Sequence, residues 1–402
     1  MRSKIAGILG FAAIACSTSG AAQSKIAPLP PPYAGAYQPK GVDEIGLWRE
    51  DDEGERELAN SAILIRDEAL NRYVRNVLCA TVGKDRCGAA RIYILRTPVF
   101  NATMSPNGTM RVFSGLLLRV RNEAELAAVL GHEFGHFEQR HTLASFKAQR
   151  SGTDLLSWAA VLAALGNSYQ SYSNLNSIQL SVYGHLFRFN RDQEREADLL
   201  GLGYLNKSSL RPQAAATVWQ NVMAEQQASA LVKGLKKPNF KRVAFFSTHP
   251  PEAERASTLA ALASPDGTSR DDGADRYAAA VAPWLPTLLD DQVKLNDFGA
   301  SDFIISSLAE RGWTPTLLVA RGDLYRARGN PRDLTMAAEF YGKAAEMNAS
   351  LPEAQRGLGL ALIKTGRRSE GTSALRRYLE LKPNASDANM IRMLVPSEGV
   401  KQ

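Results

Sequence analysis

Cysteine and histidine are scarce in this chain: 402 residues carry three of the first and five of the second. So little cysteine excludes a scaffold built on disulfides and a thiolate metal cluster. So little histidine makes any grouping of it informative. Blocks of one charge are also missing. The 48 Lys and Arg outweigh the 41 Asp and Glu by +7, but the excess is spread out and partly owed to Arg2 and Lys4. No nucleic-acid-binding motif accompanies it, so nucleic acid is not an expected partner. Beyond the first residues there is no run of the about 20 apolar residues that span a bilayer, so the mature chain has no expected transmembrane helix.

The N-terminus reads as an export signal. Arg2 and Lys4 precede an apolar run over 5–15, and the small residues Gly20-Ala21-Ala22 fit a signal-peptidase cut before Gln23. Ala13-Ile14-Ala15-Cys16 offers the alternative of a lipid anchor on Cys16. Residues 1–22 are assigned to the signal. Residues 23–41, with Pro28, Pro30, Pro31, Pro32 and Pro39, read as an extended tether. Cys79 and Cys87 are close enough in sequence to pair in an exported protein, and a disulfide is expected there.

Two folded units follow. The first, 42–264, is α+β and mostly helical. Its patterning gives a helix over 52–77, a strand over 91–95, and a hairpin whose strands 101–105 and 109–114 flank Pro106-Asn107-Gly108. A helix begins at Asn122 with Glu125 three residues on, which is a capping-box arrangement, and runs to about 139. An apolar stretch over 154–165 around Trp158 and a polar run over 167–181 read as a lid on a cleft. A second capped helix begins at Asn190, with Gln193 at its third position. The Gly- and Asp-rich stretch 265–275 reads as a linker. The second unit, 276–395, is all-α: Gly329 and Gly366 close two related segments 37 residues apart, near the about 34-residue tetratricopeptide period.

The chemistry concentrates at His132-Glu133-Phe134-Gly135-His136. On a helix, residues four apart are separated by about 40° around the axis, so both imidazoles face one point, as two ligands of one zinc ion must. Glu133 lies beside them, placed to act on water without being a ligand. Gly131 and Gly135 are poor helix formers, and Gly135 suggests a close packing partner at that point. A third ligand is needed. Thr142 stands where a third consecutive histidine ligand would, and His141 is one residue short of it, so the ligand comes from elsewhere. Glu194-Arg195-Glu196-Ala197-Asp198 presents Glu194 and Asp198 on one helix face, one to bind metal and the other to orient a histidine or serve the reaction; Glu196 faces away. His141 and His185 read as surface or core residues.

At these residues the chain resembles a family. HExxH at 132–136 followed by ExxxD at 194–198 is similar to gluzincin metallopeptidases of the HtpX and CAAX-prenyl-protease types, over about residues 42–260. With an export signal before it and helical repeats behind, the chain looks like periplasmic members that maintain outer-membrane proteins. The resemblance implies Zn2+ held by His132, His136 and Glu194, with Glu133 as general base and Asp198 as a supporting acid. It implies an edge strand, Arg111, Val112, Phe113 and Ser114, to which an unfolded substrate peptide adds. It also implies that His249, in Thr248-His249-Pro250-Pro251, closes the fourth zinc position. Expected partners are unfolded or unassembled envelope proteins and, through the repeats, outer-membrane assembly machinery. The competing reading is a periplasmic chaperone or assembly factor with a latent protease site. A membrane-embedded prenyl-protein protease is disfavoured, because the mature residues contain no run of the about 20 apolar residues that span a bilayer.

Overall fold

The computed structural model describes residues 31–33, 37–152, 191–238, 240 and 252–395. The export signal with Cys16, the expected lid at 154–181, Asn190, His185 and His249 lie outside the described residues.

Two helices open the fold, α1 (Gly41–Ala59) and α2 (Glu68–Val82). The sequence pattern suggested one helix over 52–77. The chain instead breaks at Asn60 and restarts at Asp67, whose carboxylate accepts from the Leu70 amide at 2.9 Å, as an N-cap should. The segment between crosses to the sheet, where Ile65 N–H donates to the Ile94 carbonyl at 2.8 Å. A short turn of helix, α3 (Lys84–Cys87), follows, and the Cys79 and Cys87 sulfurs are joined.

The sheet has three strands, β1 (Arg91–Leu95), β2 (Ala102–Met104) and β3 (Thr109–Phe113), in the order β1-β3-β2. β1 runs parallel to β3 with Tyr93 opposite Arg111, and β2 runs antiparallel with Thr103 opposite Arg111. β3 is therefore the central strand. This corrects the expectation that residues 111–114 form the edge beside the cleft. The Pro106-Asn107-Gly108 turn folds β2 onto one side of β3, and β1 takes the other. Gly108 is required there: its φ is 92°, and a Cβ would lie 2.2 Å from the Ala89 carbonyl oxygen. Ser114 already belongs to α4 (Ser114–Arg119). With residues 63–65 covering the outer side of β1, β2 is the outer strand among the described residues.

The helix that carries the histidines, α5 (Glu123–Glu138), runs next to α6 (His141–Gly152), α7 (Arg191–Lys207) and α8 (Ala214–Val232), and α9 (Glu252–Leu262) packs on α7 and α8. The α5 cap forms as its sequence requires. Asn122 accepts from the Glu125 amide at 2.8 Å, and Glu125 reaches back to the Arg121 amide at 2.8 Å. Burial pushes the Glu125 carboxyl up to about 7.

Residues 265–275 are not an open linker. They form a tight 3-10 turn (Pro265–Ser269) whose Gly267 packs on Pro212 so closely that a Cβ would meet the ring at 2.4 Å. Arg270 donates to the carbonyls of Asn206 and Ser208 at 2.8 and 3.0 Å. The helices beyond, α10 (Ala274–Val281), α11 (Leu285–Val293), α12 (Phe298–Leu308) and α13 (Pro315–Arg328), share one hydrophobic core with the preceding region. That core runs from Ile65 through Leu130, Leu205, Leu289 and Ile305 to Leu324. Composition marked this stretch as a boundary because Gly, Asp and Ser serve equally in tethers and in tight packed corners.

The chain ends in α14 (Pro331–Met347), α15 (Pro352–Lys364), α16 (Arg368–Leu381) and α17 (Ala388–Leu394). Tyr341 is fully buried between α13 and α15, where Gly322 and Gly357 leave room for its ring. Gly329 and Gly366 both take positive φ after their helices, at 75° and 85°, as helix ends favour. The expected N-terminal tether is partly docked. Pro32 is buried, and Tyr33 donates to Glu138 at 2.6 Å. Among the described residues no helix is long and apolar enough to cross a membrane.

The bridge between Cys79 and Cys87 spans a sequence separation of 8. Closing a loop of that size removes unfolded-state entropy worth about 2–3 kcal/mol. The double variant Cys79→Ser/Cys87→Ser is expected to lose stability of that order in urea unfolding; a midpoint equal to wild type would contradict the assignment.

Candidate metal centre

The centre exists because α5 and α7 approach very closely. Both helices carry small residues on the facing sides. A Cβ on Gly135 would lie 3.1 Å from the Ala197 carbonyl oxygen, and one on Gly201 would lie 2.8 Å from the His132 amide nitrogen. Gly131 faces Gly201 in the same seam. The helix cost of these glycines, about 1 kcal/mol each against alanine, is thus tied to the backbone approach that brings Glu194 opposite the two histidines.

The donor atoms converge. His132 Nε2 and His136 Nε2 are 3.1 Å apart. Glu194 places its two oxygens 3.6 Å from these nitrogens, Oε2 near His132 and Oε1 near His136. All three side chains are buried, and one donor atom from each lies within 4.8 Å of the others. A tetrahedral zinc ion with bonds of about 2.0–2.1 Å needs its donors about 3.3 Å apart, so the spacing fits. Glu133 is buried one position along the helix from His132.

The charge balance fits as well. Arg255 on α9 is buried inside the cluster. Its Nε and Nη2 donate to the two Asp198 oxygens at 2.8 and 2.5 Å, and its Nη1 lies 3.4 Å from Glu194 Oε2. Its guanidinium stacks 3.7 Å from the centre of the Trp219 ring. Burial works against its charge, but Asp198, Glu194 and Glu133 together keep its pKa raised. One guanidinium against the carboxylates of Glu133, Glu194 and Asp198 leaves two negative charges, the complement of a divalent cation.

The imidazoles are held from behind. Asp198 Oδ1 lies 2.9 Å from His132 Nδ1. Burial alone would raise Asp198, yet the Arg255 charge and the bond to His132 hold its carboxyl far below the usual carboxylate range. Burial first, and Arg255 second, lower His132 from its ordinary value. That favours the neutral ring a metal ion requires. His136 Nδ1 meets His141 Nδ1 at 2.9 Å, and His141 Nε2 lies 3.3 Å from Glu196 Oε2.

His132, Glu133, His136, Glu194 and Asp198 are therefore brought together. Arg111 is buried on the central strand and donates to Ser105 Oγ at 2.7 Å. His249 lies outside the described residues. Sequence reasoning missed Arg255, Trp219, and the contacts of His141 and Glu196. Arg255 did leave a trace. It stands at the fourth position of α9, where the positive end of the helix dipole disfavours a cation, and a misplaced charge of this kind points to buried anions nearby.

Residues 65–263 match the sequence model described as Peptidase family M48. The chain is 30% identical over 164 residues to the mitochondrial metalloendopeptidase OMA1 of Schizosaccharomyces pombe, covering 41% of this chain and 44% of that protein. It is 25% identical over 181 residues to the beta-barrel assembly-enhancing protease of Escherichia coli, covering 44% of this chain and 37% of that one. The putative beta-barrel assembly-enhancing protease of Vibrio cholerae is 30% identical over 159 residues, 38% of this chain and 33% of its own length. Each match thus spans less than half of the relative.

Gly201→Ala is expected to push α7 off α5, with an overpacking cost of about 1–3 kcal/mol and zinc affinity reduced by at least about tenfold. Gly203→Ala, where a Cβ meets nothing within 4 Å, is the control and is expected to match wild type in zinc affinity. Zinc competition titrations of both variants check this; equal affinities would show that the seam does not set the site.

Proposed function

We propose, from the match of residues 65–263 to the model of Peptidase family M48, that the chain is a zinc-dependent endopeptidase acting on misfolded or unassembled envelope proteins. The observation that carries the reading is the buried convergence of His132, His136 and Glu194, with Glu133 one residue from His132.

In this reading His132, His136 and Glu194 hold the ion. Bound zinc supplies Lewis acidity, polarising a peptide carbonyl and acidifying water. Glu133 takes the proton of the attacking water and passes it to the leaving amine. Asp198 fixes the ring of His132 and is itself fixed by Arg255. The substrate backbone lies along β2, the outer strand, rather than β3. What supports this is the strand order, which leaves β2 outermost among the described residues while β1 and residues 63–65 cover the other side. Backbone pairing of this kind gives little sequence selectivity, which suits unfolded chains.

The relatives in Escherichia coli and Vibrio cholerae are named for beta-barrel assembly, which supports a link to such assembly; a periplasmic setting is proposed with it. The export signal is consistent with that setting, whether cleaved after Ala22 or anchored through Cys16. The helix pairs α13–α14 and α15–α16, with Gly329 and Gly366 in their turns and Tyr341 packed between α13 and α15, are the proposed tetratricopeptide-like repeats that would hold a partner. His249 is proposed to close the zinc site in the resting enzyme, and residues 154–181 to cover the cleft. A chaperone role through the repeats is compatible with the same surface.

Digestion of an unfolded protein such as reduced casein tests the reading. Glu133→Gln is expected to lose cleavage by about 10²–10⁴-fold while keeping its zinc, and His249→Ala to cleave faster than wild type. Identical rates for all three proteins would leave only the chaperone reading.

A further inference from the structure

We propose that His141 and Glu196 are positioning residues for His136, forming a relay in which Glu196 fixes the tautomer of His141 and His141 fixes that of His136. The inference rests on the metal reading above and deepens it.

The proton count permits one arrangement. For His136 to present a lone pair at Nε2, toward His132 and Glu194, its proton must be on Nδ1. That proton points at His141 Nδ1, 2.9 Å away, which must then accept. A neutral His141 accepting at Nδ1 carries its own proton on Nε2, and the atom facing it there is the Glu196 carboxylate oxygen, at 3.3 Å. The two metal imidazoles are thereby supported differently: His132 by a carboxylate directly, His136 by a carboxylate acting through a neutral ring. A hydrogen-bond partner on the far nitrogen of a ligating histidine orients the ring and raises its basicity.

Independent features hold His141 in this place. Two residues, Gln139 and Arg140, separate α5 from α6, and the φ of Arg140, 55°, is left-handed and unusual for a residue with a side chain. Its guanidinium lies 4.3 Å from the centre of the Tyr37 ring and 3.4 Å from Glu44. The abrupt turn brings His141, the first residue of α6, back under His136. Gln193 on α7 then donates to the His141 carbonyl at 3.3 Å and accepts from Ser145 at 3.2 Å. Backbone in a sparsely populated region persists where surrounding contacts enforce it, and it concentrates at functional sites. Glu196 is half exposed, with 53% side-chain accessibility, so its replacement does not disturb the core.

The test is zinc affinity of the full-length protein, by competition with a chromophoric chelator, together with the visible spectrum of the cobalt-substituted form. His141→Ala is expected to weaken zinc binding about 10–100-fold and to shift the cobalt bands. Glu196→Ala is expected to weaken it by a smaller factor. Glu196→Gln, whose amide oxygen still accepts from His141, is expected to restore most of the loss. Should His141→Ala fail to fold, the two Glu196 variants carry the comparison. Wild-type affinity and spectrum in both His141→Ala and Glu196→Ala would overturn the relay alone. A wild-type protein that takes up no zinc would overturn the metal reading and the relay with it.

Discussion

The contact on which the rest depends is the seam between α5 and α7. A two-histidine helix is only half a metal site. The third donor must come from a separate stretch of chain, and a carboxylate reaches two imidazoles only if the backbones nearly touch. Gly131, Gly135, Ala197 and Gly201 make that approach possible. The same residues weaken both helices locally, so the geometry is stabilised by the apolar core around Leu130, Phe134, Leu202 and Leu205 rather than by helix propensity.

Closeness creates an electrostatic problem, because three carboxylates are taken out of water together. Arg255 answers part of it. Its planar fork bonds both oxygens of Asp198 while its edge faces Glu194, a geometry that a lysine would not reproduce. The remaining negative charge is left for the cation. The site is thus built as a balanced set in which removing one member leaves another buried and uncompensated, a far larger cost than the net worth of the pair itself.

Much of this was legible in the sequence, and the division is physical. HExxH and ExxxD obey helical spacing, so single-helix geometry predicts which side chains share a face. Gly135 signalled a close neighbour before one was known, whereas the part Gly131 plays in the seam emerged only from packing. What could not be read were facts created by packing between distant elements. β3 became the central strand because β1 pairs in parallel from the far side, a crossover that alternation does not encode. His141 faced the wrong way on an extrapolated α5, and met His136 only because Arg140 turns the chain left-handed. The stretch 265–275 had the composition of a tether and proved to be a packed corner, where Gly267 is needed for contact with Pro212 rather than for freedom.

That corner has a practical meaning for anyone dividing the molecule. Because Leu288, Leu289, Ile304 and Ile305 are buried in the same core as Leu130 and Leu205, a fragment ending near residue 264 would carry a raw apolar wound where α11 and α12 had lain. The catalytic half and the helices behind it should melt as one cooperative body, and the boundary most visible to the eye in the sequence is the wrong place to cut.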